Sequence, residues 1–474
     1  MKVLFCSSEV FPFAKTGGLA DVCGTLPPEI AQCGAEVKVI MPLYREVRKK
    51  TKDLEEIDET VSRAMLSDDV EILFVRNDDY YDRAGLYGDE NGDFPDNLMR
   101  FQFFNRQVLK TLKMLDWQAD IIHCHDWHAA LIPVYLKTKH KDDKFFRDTR
   151  TVLTIHNLAF QGLFPKDQYP LLGLPDELYS EEGFQYYDQI NLLKAGIIYS
   201  DEVTTVSPQY ATEIQTEEYG CGLDGVIQKY RKGVVGILNG LDYHYWNPAK
   251  DPFIAKHYDR DSVISGKAET KAVLQREMGL PVDIDRPVFG YVGRLSHQKG
   301  MDLVVDALSA LQGDNVQVVI QGLGTQQYQD ELSELRNEMP DRLGICFSYN
   351  ERLAHTIYAG SDWFLMPSNF EPCGLAQMIS MHYGTPPIVY RTGGLADTVE
   401  SFQLDEANGN GLVFQEYTTD ALLQAVRLAE EIFRDKRQYF SLVANAMHTL
   451  FPWRESAMKY FELYRCLRLE SQEV

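Results

Sequence analysis

Three short stretches of this chain carry the residue types from which an anion site can be built. Lys15-Thr16-Gly17-Gly18 sets a lysine ahead of paired glycines. Such glycines let a backbone approach a ligand closely, and exposed amides at a helix N-terminus favour an anion. Lys15 adds a point charge suited to a phosphate. The same four residues also suit a tight turn with a solvated lysine, and alone they do not separate the two readings. Gly293-Arg294-Leu295-Ser296-His297-Gln298-Lys299-Gly300 places two cations on one loop ahead of a helix expected near Met301. Arg294 and Lys299 there can neutralise a diphosphate and stabilise it as it leaves a sugar, where charge develops in the transition state. A solvated pair is the alternative, weakened because both flank one turn of an acidic protein. Pro367-Ser368-Asn369-Phe370-Glu371-Pro372-Cys373-Gly374-Leu375 ends a strand at Pro367 and should open a helix near Gly374, again offering free amides to phosphate. Glu371 is badly placed to bind an anion but well placed to accept hydrogen bonds from sugar hydroxyls, unless it is only a charge at a helix start. Cys373 also suits a small buried filler.

Two further stretches carry histidines. His123-Cys124-His125-Asp126-Trp127-His128 invites a metal reading. Its aspartate stands one place too early for the binuclear-hydrolase pattern H-x-H-x-D-H, and no distant His/Asp set supports it, so a polar sugar-binding rim at a strand end is the more economical reading. Thr154-Ile155-His156-Asn157 also closes a strand. A neutral His156 there would present an acceptor near an electron-poor anomeric carbon, although a lone histidine is more often structural.

Such residues need elements to position them, and short β-branched runs alternate with longer helical stretches. Strands are expected over Val37–Pro42, Ile121–Cys124, Val152–Ile155 and Val203–Val206, then in a second series over Val288–Gly293, Val316–Ile320, Trp363–Pro367 and Pro387–Tyr390. This rhythm predicts an α/β fold of two Rossmann-like, doubly wound parallel sheets. Ligand loops then lie at the carboxyl ends of the strands, and a cleft between the domains is the expected site. Asn239-Gly240-Leu241-Asp242 and the polar stretch to about Asp261 mark the boundary, giving 1–245 and 246–450. A helical pattern within 451–474, from Glu455 to Leu469, is long enough to pack back on the first domain. Thr16-Gly17-Gly18-Leu19-Ala20-Asp21 recurs as Thr392-Gly393-Gly394-Leu395-Ala396-Asp397, each copy expected between a strand and a helix. Asp78–Asn97, rich in Gly, Asp, Asn and Pro, predicts a long surface loop whose tyrosines suit sugar stacking or simply a solvated acidic segment.

Composition bounds the partners. The 474 residues, at roughly 150 per domain, allow two or three domains. With 45% hydrophobic and 25% charged residues the chain reads as globular, with ample material for cores. Its net charge of −23 repels nucleic acid and anionic lipid, so a phosphorylated ligand needs a local basic cluster. No apolar run reaches bilayer length, and Ser7, Ser8 and Glu9 interrupt the apolar start too soon for a signal segment. Eight scattered cysteines without a C-x-x-C pattern fit a reducing cytoplasm.

Taken together, KTGGLADV at 15–22, HDWHAAL at 125–131, TIHNLAFQG at 154–162, TTVSPQYATEI at 204–214, YGCGLDGVI at 219–227, NGLDYHYWNP at 239–248, GRLSHQKG at 293–300, PSNFEPCGLAQM at 367–378 and RTGGLADT at 391–398 resemble the ADP-glucose-dependent bacterial glycogen synthases and plant starch synthases over nearly the whole chain. The resemblance implies a GT-B fold with a closing helix that crosses back. It implies transfer of glucose from ADP-glucose to the non-reducing end of an α-1,4-glucan, with retained configuration and no metal or other cofactor. The resemblance also implies same-face attack assisted by the leaving phosphate, with no carboxylate nucleophile. By motif position Lys15, Gly17, Gly18 and Asp21 meet the donor, Arg294 and Lys299 hold its diphosphate, and Cys373, Gly374 and Leu375 line the phosphate and sugar end. Glu371 takes the glucose hydroxyls, His156 and Asn157 flank the reacting sugar, Asp126 lies toward the acceptor, Asn239 belongs to the hinge motif, and Tyr349 matches the aromatic that covers adenine, unless it is an ordinary core tyrosine. His297 and Ala130 depart from common family residues without touching a proposed contact.

Overall fold

The computed structural model describes residues 1–90, 92–231, 233–311 and 315–470. The chain divides into two compact units, one of Met1–Gly240 together with the segment from Trp453, the other of Leu241–Pro452.

The first unit is built on a nine-stranded sheet. In spatial order its strands are Val235–Gly236, Glu202–Thr205, Arg150–Ile155, Ile121–His125, Lys2–Cys6, Glu36–Pro42, Val70–Val75, Val61–Ser67 and Glu55–Glu56. The first seven are parallel, and the last two turn back antiparallel. Val3, Leu4, Phe5 and Cys6 are wholly buried, as a strand covered on both faces requires. From Lys2–Cys6 the chain first builds outward to Glu36–Pro42 and later returns to the opposite side at Ile121–His125. The order therefore reverses at this central strand, and the loops after Cys6 and His125 meet at the reversal. Helix Trp453–Glu470 belongs to this unit and packs on helix Gly18–Gln32. Its buried residues Trp453, Ala457, Tyr460, Tyr464 and Leu467 fall on one helical stripe.

The second unit carries a six-stranded, all-parallel sheet in the order Leu343–Cys346, Gln317–Gln321, Val288–Val292, Trp363–Met366, Pro387–Tyr390, Leu412–Phe414. Again the first strand in sequence, Val288–Val292, lies at the reversal. The linker stretch after Asp242 is pinned by Asp251, whose buried carboxylate accepts from His355 Nδ1 at 2.7 Å and from the Tyr383 hydroxyl at 2.5 Å. Helix Val263–Glu277 is tied in by two buried lysines. Burial pushes Lys267 down to about 7 while it donates to Ala359 O and Thr385 Oγ1, and Lys271 pairs with Asp362 at 2.7 Å.

The Asp78–Asn97 stretch is more ordered than its composition predicts, Asn91 lying outside the described residues. It forms helix Asp78–Tyr81 and a small hairpin, Gly88–Asp89 with Gly92–Asp93. The buried Arg100 donates to Tyr80 O, Leu86 O and Asn97 Oδ1, clamping it from the following helix. Tyr81 is fully buried, so it serves packing rather than sugar stacking.

Candidate active site

In the first unit the loop from Ser7 to Gly17 leaves the carboxyl end of the central strand. Its organiser is a residue that sequence reasoning passed over, Glu9. This buried carboxylate accepts from the Thr16 amide at 2.5 Å, the Gly17 amide at 3.3 Å, the Thr16 hydroxyl at 2.6 Å and the Tyr87 hydroxyl at 2.7 Å. An internal carboxylate thus holds two of the amides that the KTGG stretch was expected to offer to an anion. The available signal was a glutamate between a buried strand and a glycine pair. Lys15 is exposed and pairs with Asp21 at 2.7 Å across the first turn of helix Gly18–Gln32.

The repeated hexapeptide does two different jobs. A Cβ built on Gly17 or Gly18 meets nothing within 4 Å, so no protein contact demands glycine there. In the second copy a Cβ on Gly393 would lie 2.0 Å from Glu371 O, and one on Gly394 would lie 2.1 Å from Cys373 O. Those glycines let helix Gly393–Thr398 sit directly on the loop that carries Glu371 and Cys373, and the Gly394 amide donates to Glu371 O at 3.0 Å.

Asp126 and His156 close adjacent parallel strands. Asp126 has φ +55°, an uncommon value for a residue with a Cβ, which costs roughly 1–3 kcal/mol. That turn aims its carboxylate back so that Oδ1 accepts from the His156 amide at 2.7 Å, and the Asn157 amide also donates to it. Burial outweighs these bonds and raises Asp126 to about 7, while burial pushes His156 down to about 3. Asn157 Oδ1 accepts from the Ala159 amide, shaping the next turn. His125 Nδ1 lies 2.9 Å from His156 Nε2. The histidines of the 123–128 stretch face different partners. His123 bonds the Thr154 and Tyr464 hydroxyls, and His128 stacks between Trp127 and Tyr87. Asn239 is buried, and its Oδ1 has no hydrogen-bond partner among the described residues.

The second unit gathers its polar residues at its own sheet reversal. Lys299 Nζ lies 2.5 Å from Glu371 Oε2, which also accepts from the Ser368 hydroxyl at 3.0 Å. The two loops are locked together: Gly300 has φ +73°, a Cβ there would strike Pro367 O at 2.0 Å, and the Asn369 amide donates to Gln298 O. Arg294 is exposed, and its guanidinium reaches only the Gln298 side chain, at 3.2 Å, among the described residues. This cation therefore has no carboxylate of its own. Cys373 is buried. Gly374 has φ +74°, and Gln377 braces the turn by donating to Cys373 O and Gly374 O. Leu375 stands at the start of helix Ala376–His382, which begins two residues later than expected. Tyr349 follows strand Leu343–Cys346 and is 77% exposed, so it is not a core tyrosine.

Residues 2–229 match the family model for the starch synthase catalytic domain, and 279–444 match that for glycosyl transferases group 1. The glycogen synthase of Syntrophotalea carbinolica is 44% identical over 98% of both chains. The chain belongs to the glycogen synthase family. The glycogen synthase of Thermotoga maritima is 43% identical, again with 98% of each chain covered. Among solved structures, the catalytic domain of starch synthase IV from Arabidopsis thaliana, bound to ADP and acarbose, matches with a TM-score of 0.89 at 32% identity over 98% of this chain and 99% of that one. Sucrose-phosphate synthase from Thermosynechococcus elongatus, with a TM-score of 0.62 at 17% identity and 98% of each chain covered, shares the fold. Membership in the glycogen synthase family makes the chain a glycosyltransferase of the GT-B fold, built from two parallel-sheet units. No described helix is long and apolar enough to cross a membrane.

Proposed function

We infer that this chain transfers glucose from ADP-glucose to the 4-hydroxyl at the non-reducing end of an α-1,4-glucan, with retained anomeric configuration. The observation that carries the reading is the second unit's sheet reversal, where Arg294, with no carboxylate partner among the described residues, shares a loop with Lys299 of the Lys299–Glu371 pair. It is supported by the family and by the ADP in the starch synthase IV structure.

Breaking the bond between glucose and phosphate leaves positive character on the sugar and negative charge on the nucleotide. Arg294 and Lys299 stabilise the departing diphosphate, and Lys15 adds a further positive charge. Glu371 gives up part of its hold on Lys299 to accept hydrogen bonds from glucose hydroxyls. Gly374 and Leu375 present backbone to the phosphate end beside Cys373. Gly17 and Gly18 admit the donor where no side chain fills the space, and Asp21 keeps Lys15 in place. Tyr349, already exposed, stacks on adenine. His156 and Asn157 line the reacting sugar, Asp126 shapes the acceptor side, and Asn239 serves the hinge. The first unit serves as the acceptor-side domain, with the helix from Trp453 as its closing segment, and Leu241–Pro452 as the nucleotide-sugar domain; the boundaries lie a few residues from the expected 245/246 and 450/451. The enzyme works in the cytoplasm without a bound cofactor.

Replacing Arg294 or Lys299 with alanine should lower glucosyl transfer from ADP-glucose at least a hundredfold while circular dichroism stays native. Full turnover in both variants would overturn the diphosphate assignment.

A further inference from the structure

The contact between His125 and His156 leaves one proton to be shared between two facing ring nitrogens, His125 Nδ1 and His156 Nε2, 2.9 Å apart. His125 is the last residue of strand Ile121–His125, and His156 directly follows the parallel neighbour Arg150–Ile155, with His125 opposite Thr154 in register. His125 is wholly buried. Phe5 stacks on its ring at 5.5 Å between centroids and 16° between planes, and His123 packs at 4.2 Å. Burial holds both rings of the pair well below the usual histidine range, so each is a neutral imidazole with a single N–H.

Only two arrangements keep a hydrogen bond at the contact. If His156 Nε2–H donates, His125 must carry its own proton on Nε2. If His125 Nδ1–H donates, His125 Nε2 is a bare lone pair. His125 Nε2 is buried with no hydrogen-bond partner among the described residues. A buried N–H without an acceptor is rarer and more costly in folded proteins than an unfilled acceptor position. The second arrangement is therefore the stable one. His156 Nε2 is then the acceptor, and its proton resides on Nδ1. That nitrogen is bonded to no described residue and is not among the buried unpaired atoms, so it is the one left to meet a ligand.

We propose that His125 is a positioning residue that fixes His156 as an Nδ1–H donor, so that the sugar atom facing His156 is an oxygen that accepts a hydrogen bond. This rests on the glucosyl-transfer reading for the identity of the ligand, but not for the tautomer. It replaces the acceptor role that the sequence pattern had suggested for His156. The His156 main chain is held separately, by its amide's bond to Asp126 Oδ1, so ring and backbone are fixed by successive residues, His125 at the end of the adjoining strand and Asp126 just after it.

The test is histidine-selective 15N NMR of the full chain without substrate, with the His156 resonances identified by their absence in His156→Asn. The expected spectrum has His156 protonated on Nδ1 and bare on Nε2. A spectrum with His156 protonated on Nε2 would overturn the proposal whatever the activity. His125→Asn keeps an amide N–H near the position of Nδ1, and His125→Leu removes it. The asparagine variant should retain the Nδ1–H signature and stay within about threefold of the parent in kcat/KM for ADP-glucose. The leucine variant should lose the single tautomer and at least tenfold in kcat/KM. Equal losses in both variants would refute the positioning role. If His125→Leu does not fold, the wild-type spectrum and the asparagine variant still decide the matter. A correct tautomer in a protein inactive on ADP-glucose would leave this inference standing and defeat the assigned substrate.

Discussion

Alanine at the four glycines of the repeated hexapeptide should separate ligand space from packing space. At Gly17 and Gly18 the added methyl meets no atom of a described residue within 4 Å beyond its own chain neighbours and helix backbone, so folding should be unharmed. Gly18 opens helix Gly18–Gln32, where alanine is up to about 1 kcal/mol better than glycine. At Gly394 the methyl would lie 2.1 Å from Cys373 O and 2.4 Å from Cys373 Cα, backbone atoms that cannot swing away. Overpacking of that kind costs roughly 1–3 kcal/mol. At Gly393 the same crowding is joined by a φ of +41°. Catalysis should follow the opposite order for the first pair. If the donor approaches the open backbone at Gly17 and Gly18, a methyl there displaces a charge-assisted contact worth roughly 1.5–3 kcal/mol, or about ten- to hundredfold in kcat/KM. The assays are urea unfolding and initial rates on a glycogen primer. Gly17→Ala and Gly18→Ala should keep their unfolding midpoints and lose turnover, while Gly394→Ala should lose its midpoint. Full turnover in the first pair, or a midpoint loss equal to that of Gly394→Ala, would refute the distinction.

Three more outcomes follow from the site. Asp126, raised to about 7, contributes stability that is full below its ordinary value near 4 and lost as pH rises, whereas His156, lowered to about 3, contributes stability that grows as pH rises toward 6.5. Each slope is about 1.4 kcal/mol per pH unit, so the two oppose one another between about pH 4 and 6.5. Asp126→Asn should steepen the rise of stability with pH by that amount in urea titrations at pH 4.5 and 6.0, and an unchanged slope would contradict the assignment. Lys299→Ala leaves the buried Glu371 carboxylate without its cation, so adding Glu371→Gln should restore roughly 1–3 kcal/mol in a double-mutant cycle, and strict additivity would argue against coupling. Tyr349→Ala, at a 77% exposed position, should leave stability unchanged and raise the KM for ADP-glucose about tenfold, as expected for a lost base stack.

Much of this arrangement was legible in the residues. Runs such as Val-Lys-Val-Ile-Met-Pro and Val-Gln-Val-Val-Ile mark buried parallel strands because almost every position is apolar. The loops that follow them must then fall at one edge of each sheet. Glu9 was not legible, because nothing in Ser-Ser-Glu-Val says that a carboxylate will turn back onto amides seven and eight residues later. Composition also misread Asp78–Asn97, since the residue that orders it, Arg100, lies outside the stretch and acts through carbonyls that any sequence has. The two TGGLAD copies look alike in sequence, and only the atoms around each glycine distinguish them.

The most direct test of the central claim is turnover of ADP-glucose and UDP-glucose, side by side, on a glycogen primer, with the anomeric configuration of the new linkage read by proton NMR. The expected result is ADP release with α-1,4 linkages formed and a clear preference for the adenine donor. Equal or better turnover of UDP-glucose, or a β-linked product, would contradict it.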